Sequence, residues 1–209
     1  MKLVIFGATG RTGIPLVGQA LDKGHRTKAF VRTPEKLTIE HRNLEVVQGD
    51  VLDAGAVEKA LAGTEGVLCV IGHTKDSPTD LQTRAMMNIT SAMKKKKVKR
   101  LVDLTGAGVR DSSDRPKLID RLIVVALKLI SPKVLNDGRN HAEVIRSSGV
   151  EWTIVRAPML QDGPHTGKYR VGFVGRNSGT KISRADVADF MLKEIEKPEH
   201  SGTMPMVSY

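Results

Sequence analysis

The chain opens with an apolar run, KLVIF, followed at once by GATGRTG, so that Gly7, Gly10 and Gly13 recur at every third residue. A short run with no polar interruption is what a strand buried on both faces requires. The glycines that follow permit a tight turn and a close approach of backbone to a ligand. Next comes RTGIPLVGQALDKG, with apolar residues at Ile14, Leu16, Val17 and Leu21 and a stop at Gly24, which reads as a helix with glycine just past its end. A strand, a glycine turn and a helix in this order leave free N–H groups and a positive dipole end at the turn, where a diphosphate can sit. Gly7 and Gly10 are expected to admit the ligand by backbone approach, Thr9 and Thr12 to donate hydroxyls, and Arg11 to add a cation.

The rest of the chain repeats the alternation. TKAFVR, LEVVQGD, EGVLCVIG, KRLVDLTG and EWTIVR read as strands, and VEKALAG, LQTRAMMNITSAMKKKK, AEVIRSSG and RADVADFMLKEIEK as helices, the last with Ser183 as its N-cap. TMPMVSY reads as a closing edge strand, and no linker, composition break or internal repeat divides residues 1–209. The expected fold is α/β: a single Rossmann-like doubly wound domain with a mostly parallel sheet flanked by helices. In such a fold the residue ending strand two decides which dinucleotide fits, because an acid there takes the ribose 2′-hydroxyl of NAD. Here AFVRT presents Arg32, with Lys36 shortly after it. Two cations suit the 2′-phosphate of NADP, so NADP(H) is the expected cofactor. Asp50, after strand three, lies where the adenine amino group would pass, and Gly72, closing strand four, admits the cofactor closely.

Charge and composition narrow the partners. Lys and Arg number 33 against 23 Asp and Glu, a net charge of +10 that favours anions. Aromatic residues make up only 3%, poor material for stacking bases, which argues against nucleic acid. The densest basic run, KKKKVKR, follows a helical pattern and reads as cations at the helix's negative pole. Cys69 is the single cysteine, and MKLVIFG carries no basic segment ahead of its apolar run, so a reducing, cytoplasmic setting is expected. No apolar run reaches the roughly 18 residues of a membrane span. The six histidines show no paired helical spacing of a zinc site, and no GxSxG elbow is present. The segment 116–135, PKLIDRLIVVALKLISPKVL, reads as one helix, apolar nearly all round, that should be buried or bind something.

FGATGRTG, the VR pair ending strand two, QGDVLD and SSGVEWTIVRAP together resemble the atypical short-chain dehydrogenase/reductase family. More narrowly, they resemble its NmrA-like, NAD(P)H-binding branch, which includes biliverdin-IXβ reductase (flavin reductase). The resemblance covers nearly the whole chain, to ISRADVADFML near its end. It implies cofactor contacts from Gly7, Thr9, Gly10, Arg11, Thr12, Arg32, Asp50, Val51 and Gly72, and nicotinamide surroundings from Thr105, Pro158 and Met159. The substrate side would then come from segments about 105–140 and 158–180.

The departures bear on chemistry. The family's larger branch uses a Tyr-xxx-Lys pair, but the fourth residue after Tyr169 is Phe173. Gly106 stands where relatives carry a serine, Met159 where they carry a histidine, and Gly138 where they carry a lysine or histidine. Without a protein acid, the expected reaction is hydride transfer to an acceptor that takes its proton from solvent: a flavin, quinone or tetrapyrrole-like small molecule. The alternative is an NmrA-like protein that senses NADP(H) without catalysis. The candidate catalytic residues are Thr105, as an orienting hydroxyl, and His73, which follows Gly72 and would face the cofactor; His165 is a further candidate near the substrate. A monomer or homodimer is expected.

Overall fold

The structure is a computed structural model that describes residues 1–118, 120, 122, 124, 125 and 131–209. From β1 (Lys2–Phe6) the chain turns into α1 (Gly13–Asp22), then continues through β2 (Arg26–Val31), β3 (Leu44–Gln48), α2 (Ala54–Ala60), β4 (Gly66–Cys69) and α3 (Leu81–Lys96). It goes on through β5 (Arg100–Gly106), α4 (Pro132–Ser147), β6 (Glu151–Ala157), β7 (Met159–Gln161), β8 (Arg170–Gly172), β9 (Lys181–Ser183), α5 (Arg184–Glu196) and β10 (Met206–Ser208). Eight strands form one sheet in the order β3-β2-β1-β4-β5-β6-β10-β8, parallel except for β8 against β10. β7 and β9 pair separately as a short parallel ribbon. The chain moves outward from β1 to β3 and restarts at β4 on the other side of β1, which creates a switch point at the carboxyl ends of β1 and β4. The expected doubly wound α/β fold is thus the observed one.

Alternation along each strand divides the core in two. Leu3, Ile5, Ala29, Val31, Val102 and Leu104 pack with α1 and α5, whereas Val4, Phe6, Phe30, Val67, Cys69 and Leu101 pack with α2, α3 and α4. Asp103 and Thr105 therefore share the face of β5 that looks toward α4. The helix signals at the ends act as read: Gly24 has φ +79°, and the Ser183 hydroxyl accepts the Asp186 N–H at 3.0 Å.

Three local readings are corrected. β10 is not an edge strand; it lies between β6 and β8, because the short RVG segment takes the edge. α4 begins at Pro132 rather than at Ala142, with Leu135, Gly138, His141, Ala142 and Ile145 buried at helical spacing. The sequence NDG within it suggests a turn, but the buried stripe overrides that preference. The segment 116–135 is not one continuous helix: Ser131 is non-helical and Pro132 starts a new helix, since proline suits a first turn and cannot continue one. Residues 119, 121, 123 and 126–130 of that segment lie outside the described residues.

Candidate cofactor and acceptor site

The turn after β1 admits only glycine at two of its positions. Gly7 has φ +81°, and a Cβ there would stand 2.8 Å from the Val70 carbonyl oxygen. A Cβ on Gly13 would stand 2.1 Å from the Gly7 carbonyl oxygen. The Gly10 N–H donates to Gly7 and the Ile14 N–H to Gly10, both at 3.0 Å, which locks the turn onto α1. Thr12 is the N-cap of α1, yet its side chain makes no capping bond and the first helical turn holds no acid. The positive pole of α1 is left open to an external anion.

A cleft of about 370 Å³ opens at this switch point. Gly7, Thr9, Gly10, Arg32, Asp50, Val51 and Gly72 all line it, joined by Phe6, Phe30, Ile71 and Pro78. Arg32 directly follows Val31 and is exposed, and its guanidinium has no hydrogen-bond partner among the described residues. Asp50 accepts the Leu52 N–H at 2.8 Å, which fixes the loop after β3 against the cleft. An uncapped helix pole, an unpaired guanidinium and a carboxylate fit the diphosphate, ribose and adenine of a dinucleotide. A larger hollow of about 500 Å³ lies among Lys2, Arg26, Lys28 and Arg42, but at the amino ends of the strands, opposite to where ligands of such sheets bind.

Several expected contacts stand outside the cleft. Thr12 is buried, and Lys36 is exposed at the end of the 3₁₀ turn Pro34–Lys36. Arg11 is exposed and paired with Asp162, which also holds Arg184 at 2.8 Å; the hydrogen bond from Arg11 keeps the Asp162 carboxyl below the usual carboxylate range. Pro158 leads into β7, and Met159 is 67% exposed. Among the described residues, none of 158–180 lines either this cleft or the hollow beside it.

That second hollow, about 160 Å³, lies between the end of β5 and α4. Gln82, Thr105, Gly106, Val109, Ser131, Leu135 and Gly138 are among the residues lining it, and among the described residues none of its lining side chains is ionisable. A Cβ on Gly138 would stand 3.5 Å from the Thr105 hydroxyl, so glycine keeps the space over that hydroxyl open. Beneath lies a buried ion pair, His141 Nε2 to Asp103 at 2.9 Å. The other ring nitrogen faces the Asp137 carbonyl at 3.3 Å, and two acceptors call for an imidazolium with two donors. Burial disfavours that charge, but Asp103 outweighs it and holds His141 above the ordinary histidine range. Burial, reinforced by Asp103, pushes the Cys69 thiol up, away from thiolate chemistry.

His73 does not face the cleft, although its neighbours Gly72 and Thr74 line it; His73 Nε2 donates to the buried Asp137 carboxylate at 2.8 Å. His165 is half exposed and pairs with Asp189 at 3.4 Å. Tyr169 also donates to Asp189, at 2.7 Å, and burial with that carboxylate drives its hydroxyl far above the ordinary tyrosine range. The loop after β5 is fixed by Arg156, fully buried, whose guanidinium holds Asp114 through two bonds of 2.8 Å. Among the described residues, no group of three or more His, Cys, Asp or Glu is placed to hold a metal, and no helix is long and apolar enough to cross a membrane.

Sequence reasoning passed over Asp103, Asp137, His141 and Gln82. Asp103 carried a signal, since a carboxylate inside the apolar run RLVDLTG needs a partner when buried. Asp137 and His141 are spaced i, i+4, but starting the helix at Ala142 left them in a loop.

Comparison with known proteins agrees with this geometry. YwnB of Bacillus subtilis (strain 168) is 27% identical over 210 residues, 97% of this chain and 95% of that protein. The (4-alkanoyl-5-oxo-2,5-dihydrofuran-3-yl)methyl phosphate reductase of Streptomyces griseus is 29% identical over 154 residues, 74% of this chain but 46% of that protein. A solved Rossmann-fold NAD(P)-binding family protein from Shigella flexneri superposes with a TM-score of 0.77 at 26% identity, covering 99% of this chain and 92% of its own. Residues 7–198 match the NAD(P)H-binding family, from the glycine turn to the end of α5. The chain belongs to that NAD(P)H-binding family, as its resemblance to the atypical short-chain dehydrogenase/reductases implied.

Proposed function

We propose that the protein is an NADPH-dependent oxidoreductase that passes hydride to a conjugated small-molecule acceptor of flavin, quinone or tetrapyrrole kind. The observation that carries this reading is the second hollow: Gln82, which lines it, directly follows Leu81 of the cofactor cleft, and among the described residues the hollow is lined without an ionisable side chain. A simple carbonyl needs a protein acid to meet its developing alkoxide, and the described lining of this hollow offers none. A conjugated acceptor spreads the incoming charge and takes its proton from water, so that one NADPH and one proton yield NADP⁺ and the reduced acceptor. The bound cofactor supplies the hydride.

The chain's own part is positioning. The glycine turn and the α1 pole hold the diphosphate, and Arg32 takes the 2′-phosphate in a charge-assisted contact that favours NADPH over NADH. Thr105 orients the reacting rings by hydrogen bond, and the apolar walls formed by Val109 and Leu135 exclude water from one side. The Streptomyces relative is named a reductase, which supports the reaction type and says nothing of this chain's acceptor. The same absence of an acid also fits a protein that only senses NADP(H).

The test is to follow NADPH absorbance with purified protein and a panel of flavins, quinones and biliverdin, with NADPH binding measured by calorimetry in parallel. Turnover with any of them, slower with NADH, is the expected result. Tight binding with no turnover across the panel would replace the reductase by the sensor.

A further inference from the structure

Asp137 lies on α4, yet its carboxylate serves other elements. It accepts His73 Nε2 at 2.8 Å, the Gln82 N–H at 2.7 Å, the Thr83 N–H at 3.0 Å and the Thr83 hydroxyl. The last three belong to the first turn of α3. The N-cap residue of that helix, Asp80, makes no side-chain capping bond, and its first turn contains no acid. A carboxylate from a different helix therefore caps α3 and meets its positive pole. Asp137 is 2% exposed and lines neither hollow.

The remaining bond, from His73, reaches the cofactor cleft from behind. Gly72 and Thr74 form part of the cleft wall, and the side chain between them, His73, is turned away and tied to Asp137. A second tie runs in parallel, since the Gln82 carboxamide donates to the Ile71 carbonyl at 2.8 Å. The wall from Ile71 to Leu81 is thus held at both ends by groups that Asp137 fixes. The same α4 contributes Leu135 and Gly138 to the second hollow.

We propose that Asp137 is a positioning residue which, through His73 and the first turn of α3, sets the wall of the NAD(P)H cleft from the side of the second hollow. This rests on cofactor binding at the cleft and not on turnover, so it stands or falls separately from the reductase reading. The wall segment serves the cofactor's common part rather than its 2′-phosphate, so NADPH and NADH suffer alike when it is released.

The experiment is calorimetric titration of the full chain with NADPH and with NADH, alongside thermal melts. His73→Leu removes the tie and weakens both cofactors about tenfold, the effect of losing one hydrogen bond to a charged group. His73→Gln restores a donor and brings both affinities back to within about twofold of the parent. Thr83→Val, a milder change that keeps the backbone bond, weakens both about threefold and decides the matter if His73→Leu does not fold. Unchanged affinities in the Leu and Val variants, with only the melting temperature lowered, would reduce Asp137 to a structural cap and overturn the proposal. A loss confined to NADPH would also overturn it.

Discussion

At the scale of single residues, two charges carry separable consequences. Arg32 directly follows β2 and lines the cleft with a guanidinium that has no hydrogen-bond partner among the described residues, so under the proposed function replacing it removes a charge-assisted phosphate contact and little else. Arg32→Glu is expected to cost NADPH about 1–3 kcal/mol of binding while leaving NADH nearly untouched. Equal weakening of both cofactors in calorimetry would remove the 2′-phosphate from this residue. The buried His141 acts on stability instead. Its folded-state pKa lies above the ordinary 6.5, so its stabilisation is complete below that pH and is lost as pH rises through the raised value. Within that window the parent should lose about 1.4 kcal/mol per pH unit from this group. His141→Gln keeps a donor near Asp103 but cannot titrate, so its unfolding free energy should be lower below the ordinary histidine pKa of 6.5 and flatter above it. Parallel pH slopes for parent and variant in urea titrations would show that His141 is not the group responsible.

Elements obey more general rules, and here the sequence was most legible. β1 and β4 were marked by their apolar runs, because burial on both faces leaves no room for polar alternation, whereas β2 and β3 toward the sheet edge keep exposed polar positions. The glycine turn was equally legible, since its geometry excludes side chains at Gly7 and Gly13. One helix allows the two uses of glycine to be separated. In α1, a Cβ on Gly18 meets nothing within 4 Å, whereas on Gly13 it would collide with the turn. Gly18→Ala should therefore stabilise the protein by about 0.5–1 kcal/mol, the ordinary helix preference for alanine. Gly13→Ala should destabilise it and abolish cofactor binding. Chemical denaturation of the two variants checks both signs, and equal effects would contradict the role given to Gly13. What stayed hidden were β7, β8 and β9, each only three residues long, and the true start of α4. Runs that short carry no period, and at NDG the local turn preference points away from the helix that tertiary packing enforces.

For the whole molecule, the site is a product of topology more than of motif. The glycine turn and the ends of β2, β3 and β4 meet because the strand order reverses at β1 and β4. That these residues line one cleft could be read in advance, since each sits at a strand's carboxyl end, where the fold brings such residues together. The second hollow could not. It depends on how α4 lies across β5, and that is set by a buried His141–Asp103 pair and by Arg156 gripping Asp114, partners 38 and 42 residues apart. Asp103 inside RLVDLTG calls for a partner, but the long separation leaves no local trace of which residue that is. The resulting hollow has polarity in Thr105, Gln82 and Ser131 but, among the described residues, no titrating group, and the proposed reaction follows from that lining. The most direct measurement is a single-turnover reaction with NADPH deuterated at the nicotinamide C4, using the acceptor that gives the fastest oxidation. Deuterium that leaves the bound cofactor at the rate of acceptor reduction, slowed relative to unlabelled NADPH, is the predicted result. Label retained on tightly bound NADPH in the presence of every acceptor tried would contradict hydride transfer.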